Sequence, residues 1–318
     1  MTTERVLPSG RQIELTCGDQ RAVVTEVGGG LRCYSVGSRA VLDGFQAAEM
    51  CRGGRGQVLA PWPNRLAGGR YRFDDEDHQL PLDEPGLGNA IHGLVRWANW
   101  EVLELAIDRA VVGHLQHSRP GYPFSLALAV DYRLAADGLT VRTTARNVGH
   151  RPLPFGLGFH PYLTVGTDLI DEATLCVPSG CKVDVDGQGR PIRSGVAESG
   201  LDFRTPRLIG DLRLDTCFGD LGAGADGRNS VVLASPDGSV AVTLWMDRSF
   251  SYVMVFSGDT LDPDRRRRGL AVEPMTCPPN ALRSGVGIQV LAPGARTEAS
   301  WGIEPALSNR LDTGRSSG

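Results

Sequence analysis

The chain has 318 residues, of which 41% are hydrophobic and 22% charged, and a formal net charge of -4. This composition fits a soluble globular protein, and large all-β folds reach such a length as a single domain. The slight acidity gives no general attraction to polyanions, which argues against nucleic acid or an anionic membrane as a partner.

Seven cysteines occur without a CxxC pair, which fits a reducing compartment better than a disulfide framework or a zinc site. The first residues lack an export signal, and no apolar run of about 18 residues follows. A cytoplasmic protein is the expectation. Nothing in the residues specifies an oligomeric state.

Turn residues separate stretches with period-2 alternation along most of the chain. The Gly28 to Gly30 cluster reads as a turn, and Ala67 to Phe73 with His78 to Leu82 reads as an early hairpin. Ser125 to Leu134 and Leu139 to Asn147 flank an Asp137-Gly138 turn, and Asp-Gly supplies the positive φ that tight hairpins need. Ser230 to Ser235 and Ser239 to Met246 repeat that logic around Asp237-Gly238, and Ser251 to Phe256 is the next strand. The run Arg265 to Arg268 reads as a solvated loop. Gly287 to Leu291 and Thr297 to Ile303 flank Ala292-Pro293-Gly294 as a last hairpin, and the polar tail from about 306 is expected to fray. Without any sustained helical stripe, the pattern predicts an all-β, single-domain chain spanning 1–318 with long functional loops.

Three distant segments set ionisable side chains in stiff backbone: Asn89 to Gly93 around His92, Gly158 to Tyr162 around His160, and Val272 to Pro279 around Glu273. His160 and Glu273 each precede a proline, whose ring steers the preceding residue toward extended backbone. Two imidazoles and one carboxylate held this way suffice for moving protons. A fourth segment, Ala60 to Leu66, carries Trp62, Asn64 and Arg65. The remaining histidines offer less: His114 and His117 would face opposite sides of a strand and make a poor metal pair, and His78 and His150 adjoin turn-like sequence and are expected to be exposed. No cofactor fingerprint or metal-binding spacing occurs. Cys277 reads as a small buried hydrophobe.

Taken together, Pro63 to Arg65 with Gly68 to Tyr71, Gly88 to Leu94, Gly156 to Tyr162, Leu214 and Asp215 with Phe218, and Val272 to Met275 resemble the aldose 1-epimerase, or galactose mutarotase, family. The resemblance implies an antiparallel two-sheet β-sandwich of the large supersandwich type, with a sugar site on a concave sheet face. It implies a cofactor-independent isomerase that exchanges the α- and β-anomers of a free sugar. Glu273 would act as base and His160 as acid, facing the pyranose from opposite sides of its anomeric centre. His92 would contact the sugar near its ring oxygen and share the proton work. Asn64, Arg65 and Asp215 would bind sugar hydroxyls, and Trp62, Trp97 or Phe159 would offer a platform for the less polar ring face.

Within the family the motifs are most similar to the branch that includes sulfoquinovose mutarotases. An anionic group at C6 would require a further cation, for which Arg96 and Arg70 are candidates. Two other readings remain open on the residues alone. Glycoside cleavage would pair Glu273 with Asp215 but leave both histidines without a role, and a non-catalytic sugar-binding protein would not need both His160 and Glu273.

Overall fold

In the computed structural model, residues 6–186, 191–196 and 199–307 are described, and they are nearly all β. Antiparallel pairing joins nine strands into one sheet in the order Glu101–Leu105, Arg109–Gln116, Leu126–Ala135, Gly138–Asn147, Arg296–Leu307, Val240–Met246, Asn229–Ala234, Thr174–Cys176 and Arg207–Leu208. Leu126, Leu128, Val130, Tyr132 and Leu134 are buried while the residues between them are wholly or partly exposed. This is the alternation expected where one sheet face meets the core. The two Asp-Gly hairpins form as predicted, with Ala135 opposite Gly138 and Ala234 opposite Ala241.

The second large sheet runs Pro191–Val196, Cys181–Val185, Asp215–Gly219, Tyr252–Phe256, Leu270–Met275, Gly158–Phe159 and Val58–Leu59, and Tyr162–Leu163 also pairs with Leu270–Met275. One hydrophobic cluster joins the two sheets, with Val130 and Tyr132 from the first and Phe218, Val253 and Val272 from the second. Every residue of Leu270–Met275 is buried. Val272 enters the core, and Glu273 points to the opposite face. A sheet covered on both faces loses simple alternation, which is why this strand reads as a continuous apolar run broken by one carboxylate.

Several expectations are corrected by the structure. Gln289–Leu291 and Arg296–Leu307 do not form a hairpin: the first pairs with Leu153–Phe155 and the second with Gly138–Asn147 and Val240–Met246. Buried Asn147 anchors the crossing. Its Nδ2 donates to Leu291 O at 2.7 Å, and its backbone bonds Gly294 and Ala295. The arginine run is not simply solvated, since Arg267 is buried and its guanidinium donates to Asp171, Asp259, Leu212 O and Gly210 O. His78 is buried beside Tyr71 and Phe124. The early hairpin is shorter than predicted, Arg70–Phe73 with Glu76–Gln79. The predicted frayed tail falls almost wholly in residues 308–318, outside the described residues.

Candidate active site

Cross-strand register builds the site floor. Val183, Cys217, Met254 and Glu273 lie opposite one another on four adjacent strands of the second sheet, and Asp215 opposes Phe256 one step along the same face. Val183, Cys217, Met254 and Met275 form a small apolar cluster around the strand that carries Glu273. The face opens into a cavity of about 630 Å³, within the range of small-ligand sites, and its wall includes Asn64, Arg65, Glu84, His92, Arg96, His160, Asp215 and Glu273.

His160 enters from the loop after Gly158–Phe159. Its Nε2 lies 3.2 Å from Glu273 Oε1, with both side chains almost fully buried. The sequence expectation placed both groups about one anomeric centre; the structure brings them into one cavity, in contact with each other. Gly158–Phe159 pairs with Leu270–Met275 through Gly158 and Met275, and Tyr162 pairs with Ala271. Two contacts flanking His160 therefore lock its loop against the strand of Glu273.

His92 follows the strand Asn89–Ile91 and adopts the left-handed region at φ 61°. Asn64 shares that conformation at φ 58°. Non-glycine residues rarely sit there, and such strain concentrates at functional positions. The Asn64 amide donates to His92 Nδ1 at 3.2 Å, and the His92 amide donates to Asn64 O at 3.0 Å. Because Nδ1 accepts, the imidazole proton belongs on Nε2. His92 and His160 make an edge contact, their ring centroids 5.3 Å apart.

Arg65 is held as a fork by Glu84, with Nε 2.9 Å from Oε2 and Nη2 3.1 Å from Oε1. Its Nη1 reaches Asp215 Oδ2 at 3.5 Å. Glu84 also accepts from Asn89 Nδ2, so one carboxylate ties the Arg65 segment to the His92 segment. The sequence reading assigned Glu84 no role. Its only signal was its place five residues before Asn89, at the start of the same turn.

Burial governs protonation here. It pushes the His160 imidazole down to about 3, opposed by a hydrogen bond to its own backbone and aided by Arg55 and Arg96. His92 falls well below the ordinary histidine range, chiefly by burial and also through His160. Burial raises Glu273 well above the usual carboxylate range, and Asp215 adds to this while Arg65 opposes it. Both shifts favour the neutral pair, a carboxylic acid against an imidazole, over the ion pair. Glu273 Oε2 and His160 Nδ1 are buried without a partner.

His92, His160 and Glu273 bring their donor atoms within 4.8 Å of one another, a spacing that could hold a metal ion. The His92 ring is poorly disposed to ligate, since the Asn64 amide uses the Nδ1 lone pair and Nε2 carries the proton.

Of the sequence-nominated residues, Glu273, His160, His92, Asn64, Arg65 and Asp215 converge on this cavity. Trp62 and Phe159 do not: they are 3% and 1% exposed in the core, Phe159 against Trp301. Trp97 is exposed and lies near Arg96 outside the cavity. Arg70 lies apart, bonded to Gln79. Arg96 does reach the cavity wall, where Asp83 holds it. No helix among the described residues is long and apolar enough to cross a membrane.

A family model described as aldose 1-epimerase matches residues 11–304. The uncharacterized protein YihR of Escherichia coli (strain K12) is 35% identical over 288 residues, 90% of each chain. Among solved structures, a GalM/aldose epimerase homologue from C. elegans superposes with a TM-score of 0.84 at 17% identity, covering 94% of this chain and 99% of that one. A putative aldose 1-epimerase from Escherichia coli K12 gives 0.81 at 19% identity, with the same coverage. With the β-sandwich and the paired imidazole and carboxylate in one cavity, these likenesses establish that the chain belongs to the aldose 1-epimerase family of isomerases.

Proposed function

We propose that the protein interconverts the α- and β-anomers of a free aldohexose by general acid and base opening of the ring. The observation that carries this reading is the 3.2 Å contact between His160 Nε2 and Glu273 Oε1 on the cavity wall. The hydroxyl oxygen and the ring oxygen of a hemiacetal are bonded to one carbon. An acid and a base that serve both need only reach the two oxygens of one carbon, which suits this closely placed imidazole and carboxylate better than a pair of carboxylates flanking a glycosidic bond.

The proton balance follows from the pair. In the reactive form Glu273 is a carboxylate and His160 an imidazolium, one proton shift away from the neutral pair. Glu273 takes the C1 hydroxyl proton, the bond from C1 to the ring oxygen breaks with its electrons on oxygen, and His160 donates a proton there. The products are an open-chain aldehyde, a carboxylic acid and a neutral imidazole. After C1 turns, closure runs the same transfers backward on the other face. His92, whose proton is fixed on Nε2, supplies a stationary donor toward the sugar rather than a proton that moves. Arg65 and Asp215 hold hydroxyls, the guanidinium as donor and the carboxylate as acceptor.

Arg96 on the cavity wall favours a second substrate reading, an aldohexose with a sulfonate or phosphate at C6. Polarimetry and NMR anomer exchange on glucose, galactose, sulfoquinovose and a hexose 6-phosphate test both readings. Exchange of none of them above the spontaneous rate sinks the function. A rate confined to the anionic sugars and lost in Arg96→Met identifies the second reading.

A further inference from the structure

Behind the catalytic imidazole lies a stacked array that the reaction does not touch. The His160 ring stacks on Tyr162 at 12° with centroids 5.1 Å apart. The Arg55 guanidinium lies 4.2 Å from the centre of the same Tyr162 ring. Arg55 is 4% exposed, and its Nη2 donates to Asp43 Oδ2 at 2.8 Å. Asp43 in turn donates its amide to Tyr162 O, and Tyr162 donates its hydroxyl to Gly53 O. The segment around Arg55 also grips His160 directly. The Gly56 amide donates to His160 O, the His160 amide donates to Gln57 O, and a Cβ built on Gly54 would lie 2.7 Å from His160 Cδ2.

We propose that Arg55, acting through the Tyr162 ring and anchored by Asp43, is a positioning residue for His160 that holds the imidazole plane so that Nε2 faces Glu273. This rests on the reading of His160 as the acid. An imidazole on a short loop can rotate about two torsions. Stacking on a ring that is itself pinned by a buried guanidinium and a hydroxyl bond removes that freedom. Near-attack geometry of this kind is worth large factors in rate.

The buried positive charge has a second effect. Groups that act on His160 are Glu273 in contact, His92 at its edge, Tyr162 at its face, and the cations of Arg55 and Arg96. Arg55 opposes the charged imidazolium, so an imidazolium formed during turnover is a stronger acid toward a weakly basic ring oxygen.

The test uses the full chain. The His160 Cε1–H resonance is titrated by NMR in the parent and in Asp43→Asn/Arg55→Met, which removes the ion pair without leaving a lone buried charge, and kcat and KM are measured across the same pH range. We expect the His160 titration to move to higher pH, kcat to fall about 10-fold, and KM to change less than twofold. An unchanged or lowered titration, or a loss confined to KM, overturns the proposal. Should the double variant not fold, Arg55→Lys, which keeps the charge without the planar fork, is read by kcat: a fall in kcat with the titration near the parent's supports the proposal, and an unchanged kcat overturns it. The NMR readout needs no turnover, so absence of anomer exchange in the parent would reject the proposed function separately from the role of Arg55.

Discussion

Asn64 and His92 hold each other through two hydrogen bonds, Asn64 N to His92 Nδ1 and His92 N to Asn64 O, with both residues in the left-handed region. The bond to Nδ1 fixes which ring nitrogen carries the proton, which under the proposed mechanism separates the work of His92 from that of His160.

His92→Gln, which keeps a donor of similar reach, should therefore retain more activity than His160→Gln. We expect a loss of about 10-fold for the first and about 10²–10⁴ for the second, as for removal of a general acid. Anomer exchange by NMR measures both, and equal losses would mean that His92 also transfers protons.

Glu273→Gln should lower the rate by about 10²–10⁴ and make the protein more stable at neutral pH. The folded protein keeps this carboxyl protonated above its ordinary 4.5, whereas the unfolded chain ionises it, so the buried acid costs stability once pH exceeds 4.5. Gln removes that cost, and a gain of about 0.5–2 kcal/mol is the usual size of such relief. Urea midpoints at pH 7.5 check it.

The histidines act with the opposite sign. His160 titrates at about 3 when folded against 6.5 ordinarily, and His92 moves in the same direction. Below 6.5 the unfolded chain binds protons that the folded protein refuses. The stability linked to both groups is complete above 6.5 and falls as pH drops toward 3. Each such proton steepens the slope by up to about 1.4 kcal/mol per pH unit. Denaturation between pH 4.5 and 6.5 should thus show a shallower pH slope for His160→Gln than for the parent.

Arg65→Lys should raise KM about 10-fold with a smaller change in kcat, because Lys cannot keep the fork on Glu84 and still offer donors to a sugar. A kcat loss with unchanged KM would instead place Arg65 at the reacting centre.

Gly54→Ala combines a strained φ of +73° with a Cβ 2.7 Å from His160 Cδ2. His160 cannot yield, being stacked on Tyr162. A stability loss of about 1–3 kcal/mol and a rate loss of about 100-fold are expected by thermal melting and polarimetry.

The sequence by itself determined the β class and its Asp-Gly hairpins, because period-2 alternation and positive-φ turns are local properties. Short stiff motifs marked Glu273, His160 and His92, and the family resemblance added Arg65, Asn64 and Asp215. Tertiary structure decided what local pattern cannot encode. Pairing of Gly158 with Met275 and of Tyr162 with Ala271 put His160 beside Glu273. Packing between the sheets drew Trp62 and Phe159 into the core. The crossing anchored by Asn147 sent the last two strands to different sheets. Glu84 and Arg55 act only through partners far along the chain or stacked in space, and such contacts leave no periodic trace in sequence.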